Sequence, residues 1–232
     1  MTKKWTTIGY LPLRSTIFPL TGLLLFLGLG EGAVLLWQWR NPPSLPLEGL
    51  LDRPATLLFL GALVLTGVLL AVRCAGGDAT LERLDLSPTG RFLLWGGWGA
   101  LCFFVLMTWQ VLVFLLLGTL YFSLEPTMAH PQAMMLAAYR SELIYALLPL
   151  WEPLRYLCNL AMCVDLGFAA ALWILLRGRK RWHIAPFLSL GLALYSFTAG
   201  PGSMTPYVCG LFHLALAGWC LGIWREVSHE KA

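Results

Sequence analysis

Four polar side chains fall inside stretches that are otherwise apolar: Gln110, Asn159, Asp165 and His213. Asp165 stands in Cys163-Val-Asp-Leu-Gly167, with Asn159 nearly two turns earlier on the same helical run. A charge at that depth in a membrane costs roughly 2.5–3.5 kcal/mol on insertion scales, so it faces water or a partner. Two chemistries suit these residue types. One is a path for a substrate or a proton. The other is a hydrogen bond between helices that fixes their packing, with Asp165 and His213 as the candidate pair. Glu31 lies close to the end of its own apolar run and reads as solvated.

Patterns that would do chemistry unaided are missing from the sequence. There is no Gly-x-x-x-x-Gly-Lys-Ser/Thr phosphate loop, no His-Glu-x-x-His and no Gly-x-Ser-x-Gly. The cysteines at 74, 102, 158, 163, 209 and 220 form no Cys-x-x-Cys pair and have no adjacent histidine, so they read as small core residues. A b-type haem needs paired histidines within a bundle, and only His213 sits inside an apolar run. The expectation is a chain that is not an enzyme and that holds neither cofactor nor metal of its own.

The elements that must position these residues are set by composition. The chain of 232 residues is 58% hydrophobic and 12% charged, with mean hydropathy +0.72 and a net charge of only +4. Runs of about 20 apolar residues are what a spanning helix needs, and each span must satisfy its own backbone hydrogen bonds. The reading is an all-α integral membrane protein, a single transmembrane domain over 1–232. Six transmembrane helices are expected at about 15–39, 54–72, 92–122, 154–176, 183–199 and 206–224. A modest, scattered positive charge in such a chain does not indicate nucleic acid as a partner.

Connections follow from the same pattern. Thr2–Arg14 mixes Lys3, Lys4 and Arg14 with Trp5 and Tyr10, and reads either as an interfacial lead-in segment or as a frayed basic tail. Arg40–Arg53 is a Pro-rich loop. The third span exceeds the membrane thickness, so it tilts, protrudes or bends at Gly96-Gly97-Trp98-Gly99. Met134–Leu150 reads as an amphipathic or re-entrant helix on the outer face. With the N-terminus cytoplasmic, 12 of the 16 basic residues fall inside and only Arg40, Arg53, Arg140 and Arg155 fall outside. That asymmetry and an even number of spans place both termini in the cytoplasm.

Between the second and third spans lies the polar stretch Arg73–Arg91. Asp78 is a candidate N-cap there for a short helix with Leu81 and Leu84 on one face, and Ser87-Pro88 opens the next helix. With the string Thr80-Leu-Glu-Arg-Leu-Asp-Leu-Ser-Pro-Thr-Gly-Arg91 at this place in a six-span topology, the chain resembles the membrane subunits of type 2 ABC exporters. It differs from their usual pattern in its long outer segment between the third and fourth spans.

The resemblance implies a short cytoplasmic coupling helix formed by Thr80, Leu81, Glu82, Arg83, Leu84, Asp85 and Leu86. It implies an ABC ATPase subunit docked at the cytoplasmic face, carrying ATP and Mg on that partner, in the cell inner or plasma membrane. A second copy or a homologous membrane subunit completes the pathway, and Gly28-x-x-x-Gly32 and Gly218-x-x-x-Gly222 are candidate close-approach faces. The exported substrate would be hydrophobic or amphipathic, a lipid, peptide or drug. The alternative is a non-catalytic scaffold or accessory subunit of another membrane complex.

Overall fold

The computed structural model describes residues 2–40, 46–83, 86–125, 133–149, 151–176, 184–197 and 203–229, with the side chains of 2–9, 74–83 and 229 outside that description. Within these residues the chain forms helices and no strand: α1 Thr2–Arg40, α2 Leu47–Arg83, α3 Pro88–Leu124, α4 Ala133–Arg140, α5 Glu142–Leu147, α6 Pro153–Leu175, α7 Ile184–Ser196 and α8 Thr205–His229. Five of them are long and apolar enough to cross a membrane, at Tyr10–Arg40, Leu47–Arg73, Pro88–Leu124, Pro153–Leu175 and Thr205–Ser228. Their outward faces carry bare apolar side chains such as Phe18, Leu29, Leu57, Leu116 and Leu211, each at least 69% exposed. Such continuous apolar cover belongs against lipid tails, not water.

Several boundaries differ from the sequence reading. α1 is helical from Thr2, so neither Gly9 nor Pro12 interrupts it, and Pro19 also lies within it. The Ser15 and Thr16 hydroxyls both donate to the Pro12 carbonyl, at 2.9 and 2.8 Å. These are the ordinary back-bonds of hydroxyls to the preceding turn of a helix. α2 begins at Leu47, inside the expected loop, and passes through Pro54. It then runs unbroken to Arg83, so the expected helix of its own within Arg73–Arg91 is instead the end of α2, with the Asp78 backbone inside the helix and not at its start. Leu84 and Asp85 lie outside the described residues, as do the Leu81, Glu82 and Arg83 side chains.

α3 opens as expected, with Pro88 in the first turn and the Ser87 hydroxyl accepting the Gly90 amide at 3.1 Å. Its glycine cluster is not a break in the helix but its closest packing point. A Cβ on Gly96 would fall 2.2 Å from the Phe168 ring, and one on Gly99 would fall 2.9 Å from the Gly167 Cα. Small residues are how helices approach closely in lipid, where no hydrophobic effect drives them together. Gly28 and Gly32 serve the same end within the chain, facing Val113 and Leu117 of α3. They are therefore not available to a second subunit, unlike Gly218 and Gly222, which have nothing within contact.

Helix directions follow from paired contacts. Trp98 donates to Thr16 (3.0 Å) and Trp109 to the Leu24 carbonyl (2.8 Å), so α1 and α3 run parallel. α2 returns between them, with Leu58 against Gly30 and Phe103 against Gly67. α6 opposes α3, since Gly167 meets Gly99 while Cys163 meets Met107. α7 opposes α6 through Ser189–Asp165 and Phe187–Trp173. α8 again runs with α6, by Cys158–Gly210 and Asp165–His213. The start of α1, the turn from α2 to α3 and the end of α8 consequently share one end of the bundle. The other end carries α4 and α5.

α4 and α5 occupy the stretch expected as one helix. They are separate because Ser141 caps α5, its hydroxyl accepting the Ile144 amide at 3.2 Å. The Ser141 hydroxyl also donates to Asp52 of α2, whose second oxygen accepts the Glu142 amide at 3.2 Å. Arg140 reaches Glu48 at 3.6 Å. Leu143, Ile144 and Leu147 are buried beneath, so this cap is tied to the bundle and not laid loosely over it. The architecture is that of a multi-pass α-helical membrane protein.

Candidate functional site

Asp165 and His213 meet in the middle of the bundle. His213 Nδ1 lies 2.7 Å from Asp165 Oδ2, and the Ser189 hydroxyl donates to Oδ1 at 3.0 Å. Three helices thus converge on one carboxylate, α6 supplying it and α7 and α8 its donors. Asp165 and Ser189 are fully buried and His213 is 1% exposed. Position fixes this geometry: Gly210, one turn before His213, has no side chain and lets α8 close onto Cys158, where a Cβ would lie 2.5 Å from the sulfur. Interhelical hydrogen bonds in membranes contribute about 0.6 to 1.7 kcal/mol each. Two of them come close to offsetting the insertion cost of the carboxylate.

The imidazole is only half used. His213 Nε2 is buried with no hydrogen-bond partner. A narrow cleft of about 10 Å³ touches His213 and runs past Asn159 and Ser196 to Arg155, between α6, α7 and α8. Asn159 is tied to the cap, donating to the carbonyls of Ala146 (2.9 Å) and Leu147 (3.4 Å). It therefore does not join the Asp165 cluster directly.

Gln110 belongs to a second, separate cluster. Its amide donates to Glu31 Oε1 at 2.7 Å between α3 and α1, with both residues buried. Glu31 is 1% exposed, so the expected solvated position is corrected. Position near a span end suggested water, but Gly28 and Gly32 bring α3 over that face of α1 and shut water out. Glu31 Oε2 and Gln110 Oε1 have no partner there.

Two polar residues were missed by sequence reasoning. Arg155 looked like one of the outer basic residues, yet it is 2% exposed, 3.9 Å from Glu152 and stacked 5.2 Å from the Tyr145 ring centroid. Ser189 in Leu188-Ser-Leu190 gave no signal, since one serine in an apolar helix ordinarily bonds its own backbone. At the capped end, Glu152 accepts the hydroxyls of Tyr145 and Tyr207. Those two bonds hold the Glu152 carboxyl below its usual range, and the Glu152 bond pushes the Tyr145 phenol up to about 12.

The remaining expected site, Thr80–Leu86, is described only in part: its backbone is helical through Arg83, and Leu86 is half-buried just before α3. Among the described residues, no three His, Cys, Asp or Glu side chains are placed to hold a metal ion. Among known proteins, neither a family model, nor a curated protein, nor a solved structure matches this chain.

Proposed function

We propose that this chain is the transmembrane subunit of an ATP-driven export complex, with ATP and Mg bound by a separate ATPase chain at the end where α2 turns into α3. The observation that carries this reading is the unbroken α2. Its apolar part ends at Arg73, yet the same helix continues to Arg83. That adds about 15 Å of helix beyond the apolar stretch. A partner gripping this extension at Leu81 would hold a lever continuous with a span, so its displacement enters the membrane without an intervening hinge.

The helix directions support six crossings with both termini at that same end. α7 has only 13 residues, a rise of about 20 Å against a hydrocarbon core of about 30 Å. It nevertheless carries the chain from the α2–α3 end, at Trp173, back to the level of Met162 and Asn159. The basic residues support a cytoplasmic location for this end. Lys3, Lys4, Arg14, Arg73, Arg83, Arg91 and Arg225 belong to the helix segments of that end, against Arg40, Arg53, Arg140 and Arg155 at the α4–α5 end. The apolar flanks suit a hydrophobic or amphipathic substrate, and a second copy or a homologous subunit would complete its route.

The test is to purify the tagged chain from its native membrane in mild detergent and identify what accompanies it. An ATPase chain in stoichiometric amount, with ATP hydrolysis that depends on this subunit, is the expected result. Stable partners without any nucleotide-binding chain would indicate a scaffold subunit instead. Orientation is checked by impermeant thiol labelling of intact cells. His130→Cys is expected to label and Asp85→Cys to stay unlabelled, and the reverse would invert the topology.

A further inference from the structure

We propose that Asp165 and His213 form a proton-binding site within the bundle, loaded by way of the narrow cleft that leads toward the α4–α5 end. The pair is packed away from bulk solvent, with both members at most 1% exposed. Asp165 has its two oxygens occupied by His213 Nδ1 and the Ser189 hydroxyl. The one polar atom of the cluster without a partner is His213 Nε2, on the ring edge opposite Asp165. His213 lines a cleft of about 10 Å³, together with Arg155, Asn159, Ser196, Cys158 and Cys209. That is the space of roughly one water molecule.

A water there has polar partners to hold it. Asn159 commits its amide nitrogen to the carbonyls of Ala146 and Leu147, which leaves its oxygen facing no described partner. His213 lines the same cleft and its unpartnered Nε2 is the second group such a water would bond. The charge balance then defines the site's chemistry. With Asp165 ionised and His213 neutral, protonated at Nδ1, the buried pair carries a net charge of −1. A hydrated proton arriving in the cleft as H3O+ breaks one of its O–H bonds as Nε2 takes the proton, leaving a neutral aspartate–imidazolium pair and a neutral water that accepts the new N–H. Loss of the proton reverses the step. An isolated buried charge is far costlier in this medium than a paired one, so the two states differ in what packing they favour.

The surroundings add few competing charges. On α6 the cleft carries Arg155 and Cys158, with Cys163 on the adjoining face; on α8 it carries Cys209, and Cys220 lies near Asp165. α7 offers only the hydroxyls of Ser189 and Ser196, α3 the Met107 sulfur beside Cys163, and α5 the Tyr145 ring over Arg155. Among the described residues, Arg155 is the sole fixed charge facing the cleft. It stands at the α4–α5 end, near the first turn of α6, where Glu152 3.9 Å away offsets its charge. The site does not depend on which partner binds the opposite end.

The experiment uses the full chain in lipid vesicles, with His130→Gln, His183→Gln and His229→Gln leaving His213 as the one histidine, and follows its imidazole ¹⁵N resonances. The Nε2 resonance is expected to move from the position of a bare ring nitrogen to that of a protonated one as the vesicles are taken from alkaline to acid pH. Asp165→Asn is expected to move the midpoint by at least about one pH unit, because the neutral amide no longer compensates the imidazolium. Asn159→Leu, which leaves the Asp165–His213 bond in place and blocks the cleft, is expected to slow the response to a pH jump at least about tenfold. A jump applied on the α4–α5 side alone should be felt first. Should Asp165→Asn fail to fold, the Asn159→Leu kinetics and the sidedness still decide. An Nε2 resonance that stays fixed across the range would overturn the site, as would a response arriving first from the α2–α3 side.

Discussion

Gly99 of α3 and Gly167 of α6 meet backbone to backbone: a Cβ on Gly99 would lie 2.9 Å from the Gly167 Cα, and one on Gly167 would lie 2.4 Å from the Gly96 carbonyl oxygen. This crossing joins the α1–α3 half of the bundle to the α6–α8 half, and it brings α6 to the depth at which Asp165 can meet α7 and α8. Neither backbone can give way as a flexible side chain would. Gly167→Ala is therefore expected to cost about 1–3 kcal/mol, toward the upper end for an overpacked site. Gly97→Ala, where a Cβ meets nothing within 4 Å, should be close to neutral. Reversible unfolding in mixed micelles compares the two, and equal effects would mean that this crossing is loose.

Glu31 and Gln110 should be energetically coupled. Their 2.7 Å bond joins α1 to α3 in a buried setting. A double-mutant cycle with Glu31→Leu and Gln110→Leu is expected to give a coupling of about 1 kcal/mol, the scale of interhelical bonds in membranes. Strict additivity would show that each residue acts through packing alone.

Acid should loosen the α4–α5 cap through Glu152. Its carboxyl titrates below the usual range in the folded protein, because Tyr145 and Tyr207 donate to the ionised form. The sign follows from that direction: the stabilisation is present above the ordinary carboxylate value near 4.5 and is lost as pH falls through the lowered native value. Melting in detergent followed from neutral to acid pH should show this limb in the native chain and flatten in Glu152→Gln. An unchanged acid limb in the variant would assign it to other groups.

The two glycine pairs should separate folding from assembly. Gly28 faces Val113 and Trp109 within the chain, whereas Gly222 is open to the lipid side. Gly28→Ile is expected to lower monomer stability by about 1–3 kcal/mol through overpacking. Gly222→Ile should leave that stability within about 0.5 kcal/mol, as surface substitutions do, and weaken any self-association measured by energy transfer between labelled copies. Undiminished association would move the subunit contact off α8.

The end of α2 is tested by charge. Leu81→Asp with Leu84→Asp places two carboxylates where an apolar groove of an ATPase would receive the helix. The expected loss is several kcal/mol, enough to release the partner or uncouple hydrolysis. Glu82→Ala should do less, since rim charges act mainly on association rate. An inserted double variant that keeps partner and hydrolysis would make this end a plain connector.

Much of this molecule was legible from sequence alone, for a physical reason. The cost of leaving backbone groups unbonded in lipid forces long apolar helices, so hydropathy reports helix, depth and approximate span without any knowledge of neighbours. The start of α3 was equally readable, because Ser87 and Pro88 act within one turn. Asp165 and His213 announced themselves by their cost.

What sequence could not give was decided by packing between helices distant in the chain. Continuity of α1 through Pro12 and of α2 through Arg83 overrode the local breaking signals. Glu31 and Arg155 were buried by helices that close over them, not by anything in their own segments. Ser189 became a ligand to Asp165, and Gly28 an internal contact, through the register of α7 on α6 and of α1 on α3. Registers of this kind are set by close fit between side chains from separate helices, which the order of residues along one helix does not contain.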